Sequence, residues 1–106
     1  MLLEPLLMRY HARSLQEAVE LLVELQKPRL PQMVQRIASL PLAQGRGYLW
    51  ACLRAELRKV LPEVLERFPE LGTWAAPRVL QRSTQVLVAR GLALRVKQAP
   101  AGRRAA

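Results

Sequence analysis

From Tyr48 to Phe68, apolar residues return every three or four positions: Leu49, Leu53, Leu57, Val60, Leu61, Val64, Leu65 and Phe68. A strand would show alternation. This spacing instead gathers the apolar side chains along one side of a long α-helix. Such a stripe must be buried against other elements, so it commits the chain to a packed core. Pro62 interrupts the run. It lacks an N–H and crowds the preceding turn, which predicts either a kink or two consecutive helices with Pro62 opening the second.

The partners for that stripe are also helical in pattern. Ser14 to Gln26 carries Leu15, Ala18, Val19, Leu22 and Leu25 on one face and Glu17, Glu20 and Glu24 on an acidic edge. Ser14 followed by Glu17 has the spacing of a capping box, which predicts the helix start there. Pro28 ends it. Pro31 to Leu40 reads as a shorter helix with Pro31 in its first turn, Val34, Ile37 and Leu40 on its apolar side, and Pro41 as its stop. The segment PLAQGRG, Pro41 to Gly47, reads as a loop; its glycines do not have phosphate-loop spacing. A last helix is expected from Ala75 to Arg90, with Thr73 as cap, Pro77 in the first turn and Gly91 as a left-handed stop. Beyond it, LALRV (Leu92 to Val96) fits a short strand or continued helix. Met1 to Arg13 fits a short helix or a dimerising arm.

The expected fold class is therefore mostly α: a small helical domain over residues 1–98, helices near 14–26, 31–40, 48–68 and 75–90, and a flexible basic tail over 99–106. Leu22, Leu53, Leu57, Val64, Leu80 and Leu87 are the expected core. One compact domain is what 106 residues with 51% hydrophobic content can support.

Charge is distributed unevenly. The chain carries 17 Lys and Arg against 8 acids, a formal net charge of +9. All eight acids lie at or before Glu70, together with ten of the cations; the seven remaining cations follow with no acid among them. The field thus comes from the last third, and an anionic partner is expected: nucleic acid, an acidic protein or a membrane surface. Every acid is Glu, and the chain has neither Asp nor Asn. Heat adaptation and a GC-rich genome explain this composition equally well, so a thermostable protein is one expectation.

Several classes are disfavoured. Cys52 is the single cysteine, so no internal disulfide can form, and its place in an apolar pattern predicts a core position. His11 is the single histidine and has no Asp to orient it. No metal site, cofactor site or catalytic constellation is expected, and an enzyme is not the reading. MLLEPLLM is short, broken by Glu4 and Pro5 and without a basic leader, and no apolar run approaches the ~20 residues of a span. The expectation is no membrane partner and a cytoplasmic or nucleoid-associated location.

The last helix carries the sharper signal. At about 100° per residue, Arg78, Gln81, Arg82 and Gln85 fall on one narrow stripe, opposite Val79, Leu80, Val86 and Leu87. Arg and Gln can pair with guanine and adenine edges in a major groove, and both can also bind phosphate. The plain alternative is a solvated basic face.

The run Leu71-Gly72, a capped helix, Ala89-Arg90-Gly91-Leu92 and then the basic stretch Arg95 to Lys97 resembles the end of a winged helix-turn-helix regulator. The resemblance covers about a third of the chain. It makes ERFPELG, Glu66 to Gly72, the first helix and turn. It implies that Arg78, Gln81, Arg82 and Gln85 face the groove. Arg95, Lys97, Arg103 and Arg104 would contact phosphates or the minor groove. The N-terminal helices would then supply core or a homodimer interface, since symmetric DNA readers dimerise.

The expected function is a non-enzymatic, double-stranded-DNA-binding regulator or accessory factor. Two rivals remain: a structural subunit that packages nucleic acid without reading sequence, and a basic module that docks on an acidic protein. RNA ranks below duplex DNA, because Tyr10, Tyr48, Trp50, Phe68 and Trp74 are not interleaved with the basic stripe and give no stacking platform.

Overall fold

The structure is a computed structural model, described over residues 3–98, and no strand occurs among them. Within that range five α-helices follow in order: α1 (Leu3–Tyr10), α2 (Ala12–Gln26), α3 (Leu30–Arg36), α4 (Leu42–Glu66) and α5 (Ala75–Gln98), with a 3-10 turn at Lys27–Arg29 between α2 and α3. The mostly helical class is as expected, and α5 is the central element, packed against α4, α2 and α3.

The core follows the apolar periodicities. Leu49, Leu53 and Leu57 of α4 are fully buried, with Leu61 and Val64 almost so. They meet Ala18, Val19, Leu22 and Val23 from α2 and Val79, Leu80, Leu87 and Val88 from α5 in one cluster. All six expected core residues are buried. Cys52 is not: it is half-buried, at the margin of the α4 stripe, and makes no disulfide.

Helix boundaries depart from expectation where a local signal met a tertiary one. Ser14 lies inside α2, and its hydroxyl donates to the Glu70 carboxylate instead of capping a helix. Helix α2 begins at Ala12, continuing almost directly from α1, so the chain has turns available upstream of Ser14. PLAQGRG is not a loop: α4 starts at Leu42, with Pro41 as its N-cap residue. Helix α4 also continues through Pro62, which is exposed on its outer side.

Gly91 is not a left-handed stop. No glycine among the described residues has positive φ. Gly91 is helical and buried, and a Cβ built on it would stand 3.1 Å from Leu49 Cδ1 and 3.6 Å from Leu30 Cδ2. The absent side chain lets α5 approach α4 and α3. Helix α5 therefore runs on through Leu92 to Val96, so the short strand is replaced by helix.

The link from α4 to α5, residues 67–74, is turn and coil closed by Leu71, whose side chain is buried. It is tied to the N-terminal helices by the Ser14–Glu70 bond and by the His11 ring, 6.2 Å from Trp74.

Candidate nucleic-acid interface

The four stripe residues of α5, Arg78, Gln81, Arg82 and Gln85, are all exposed on one side of the helix. Directly behind them lie Val79, Leu80, Ser83, Thr84, Leu87 and Val88, all buried, so the helix is held with this side outward. Thr84 contributes no polar surface: its Oγ1 donates to the Leu80 carbonyl at 2.6 Å, within the helix.

Helix α5 is bracketed. On one flank α4 brings Arg54 alongside, with Nη1 donating to Gln81 Oε1 at 3.5 Å, a distance at the outer limit of hydrogen bonding. Arg58 stands exposed one turn further along α4. On the other flank, α1 and α2 contribute Met8, Leu15 and Val19 to a groove of about 540 Å³ whose opposite wall is the stripe itself. The stripe is thus the polar wall of a groove whose facing wall is mostly apolar, with Gln16 as its polar member.

Sequence reasoning misses Arg54. It sits beside the buried Leu53 in an otherwise ordinary charged run, and only the packing of α4 on α5 brings it to Gln81. Arg29 and Lys59, in contrast, are engaged elsewhere: Arg29 Nη1 lies 2.7 Å and Lys59 Nζ 3.4 Å from the two oxygens of Glu56. Further along α5, Arg90 shares a depression with Glu20 and Glu24 of the acidic α2 edge. Among the described residues, no acidic side chain lines the groove beside Arg82 and Gln85.

Arg95 does not join it. Its guanidinium is turned inward to the α3–α4 connection, where Nη2 donates to the Leu40 carbonyl at 2.5 Å. Nη1 is buried beside Gly45, with no hydrogen-bond partner among the described residues. The Arg95 head is thus placed away from the Arg78 to Gln85 stripe, against the Leu40 carbonyl. Lys97 is exposed, but it lines a different groove, near Leu30. Arg103 and Arg104, and the tail over 99–106, lie outside the described residues.

Glu70, the last acid in the chain, is held below its ordinary pKa of about 4.5, chiefly by the hydrogen bond from Ser14. The described residues contain no cluster of three or more potential metal ligands. None of the described helices is long and apolar enough to cross a membrane. Compared with known proteins, the chain matches no family model, no curated protein and no solved structure.

Proposed function

We propose that this protein binds nucleic acid, duplex DNA in the first place, as a non-enzymatic accessory factor that contacts the phosphate backbone through α5 and the adjoining edge of α4. The observation that carries this reading is the exposed Arg78, Gln81, Arg82, Gln85 stripe with Arg54 beside Gln81. Guanidinium and amide groups on one surface supply charge and hydrogen-bond donors for phosphate oxygens. The charge imbalance after Glu70 supplies the longer-range attraction.

The bracketing of α5 by α2 and α4 favours backbone contact over base reading. A recognition helix must project to enter a major groove, whereas this one has α2 packed along one flank and α4 along the other. That observation supports the packaging or accessory reading over the sequence-specific regulator. The winged helix-turn-helix version is the second reading. It keeps α5 as the recognition helix, but residues 67–74 would have to serve as a turn longer than the usual three or four residues, and LALRV, as helix, supplies no wing strand. Dimerisation through the N-terminal helices belongs to the same reading, with the exposed Leu3, Leu6 and Tyr10 of α1 as its candidate surface.

Fluorescence anisotropy with labelled duplex DNA, single-stranded DNA and RNA separates these readings. Backbone binding predicts duplex affinity independent of sequence. A strong preference for one duplex sequence would favour the regulator. Failure to bind any nucleic acid at low salt would transfer the basic surface to an acidic protein partner.

A further inference from the structure

A second groove lies at the other end of α5, away from the stripe. It has a volume of about 390 Å³, within the range of small-ligand clefts. Its apolar part is built by Leu30 and Pro31 at the start of α3 and by Ala93 and Leu94 on α5; Lys27, Arg90 and Lys97 complete it. No acidic residue among the described residues lines it. Three cations around an apolar patch are the complement of a molecule with an apolar tail and an anionic head.

We propose that this groove binds a small anionic amphiphile, a carboxylate carried on an aliphatic chain. The chain would lie against Leu30, Pro31, Ala93 and Leu94, and the head would be met by Arg90 and Lys97. Both side chains are exposed and long enough to reach across the groove mouth while their stems cover apolar surface. Lys27 is the lesser contributor, since its Nζ already lies 4.0 Å from Glu24 Oε1. Arg90 can also swing toward Glu20 and Glu24, with which it shares the neighbouring depression, so the ligand competes with those carboxylates. Charge complementarity argues against the chain's own occupants. The tail beyond Gln98 carries Arg103 and Arg104, and a second copy brings another +9. The proposal does not rest on DNA binding.

Decanoate, below its micelle-forming concentration, is the probe, with decyltrimethylammonium as its charge-reversed control. Amide shifts in ¹H–¹⁵N spectra of the full chain report the site. Decanoate should shift the amides of Leu30, Ala93 and Leu94 saturably, and the cationic control should bind there more weakly by about tenfold or more. The double variant Arg90→Glu, Lys97→Glu should invert that preference. Ala93→Trp, on an exposed helical position, should fill the groove and abolish binding without changing charge, with helical circular dichroism confirming the fold. Equal binding of the two head groups would overturn the proposal. So would shifts centred elsewhere, as on the Leu3, Leu6 and Tyr10 face, or no saturable shift at all. Displacement of decanoate from these amides by an excess of the alkyl sulfate of the same chain length would support it.

Discussion

Arg95 donates from Nη2 to the Leu40 carbonyl at 2.5 Å across a sequence separation of 55 residues, and so fastens the end of α5 to the connection between α3 and α4. Because the bond is charge-assisted and part-buried, Arg95→Ala should destabilise the fold by about 1–3 kcal/mol in denaturant unfolding. A loss within error of zero would mean that the guanidinium prefers water.

Gly45 belongs to the same contact. A Cβ there would lie 2.8 Å from Arg95 Nη1 and 3.2 Å from Ile37 Cδ1. Gly45→Ala should therefore displace the Arg95 head and cost stability despite its gain in helix propensity. In an Arg95→Ala background the first obstacle is gone, and the same change should be less costly, by about 0.5–1 kcal/mol or more. Additive effects in this double-mutant cycle would show that the two residues do not meet.

Leu57 and Leu87 are fully buried in the α4–α5 core. Either, changed to Ala, should cost about 2–5 kcal/mol by chemical denaturation. Ser83, also fully buried, behaves oppositely: its Oγ has no hydrogen-bond partner among the described residues. Ser83→Ala removes an unsatisfied hydroxyl and improves helix propensity, so it should stabilise by about 1 kcal/mol. A destabilised Ser83→Ala would reveal a partner for that hydroxyl.

These residues show how far the sequence can be read. The stripe from Leu49 to Val64 is legible because burial on a helix imposes its own period, and a fully buried helix side needs no knowledge of its partner. Gly91 misleads because a glycine after a helical pattern has two physical uses, a left-handed stop and a close approach. Only the positions of Leu49 and Leu30 decide between them. Ser14 misleads for a related reason: its hydroxyl finds Glu70, a carboxylate far along the chain. The Arg78 to Gln85 face is legible from helical angle alone. The inward turn of Arg95 and the arrival of Arg54 are not, because a long cation reaches in several directions and tertiary packing selects one.

The Ser14–Glu70 contact has a pH signature. Glu70 titrates below its ordinary value, chiefly because Ser14 donates to the charged form. A depressed carboxyl stabilises the fold above its unfolded pKa, and that contribution disappears as pH falls through the lower folded pKa. Ser14→Ala gains helix propensity at every pH, so the signature is the pH-dependent part: the thermal midpoint of the variant should stand lower relative to the wild type near neutrality than in the acid limb, where Glu70 is protonated in both. A difference that is constant from neutrality to acid would assign the effect of Ser14 to something other than Glu70.

The most direct test of nucleic-acid binding is the salt dependence of duplex affinity, compared between the wild type and the double variant Arg54→Gln, Arg82→Gln. Neutralising phosphates releases counterions, so log affinity should fall linearly with log salt, by about 0.9 for each phosphate neutralised. Removing two guanidiniums should weaken binding to every duplex sequence alike. It should also flatten the slope by roughly 0.9 for each phosphate that the variant leaves unneutralised. No binding at low salt, or an unchanged slope in a folded variant, would contradict the assignment of this surface to DNA.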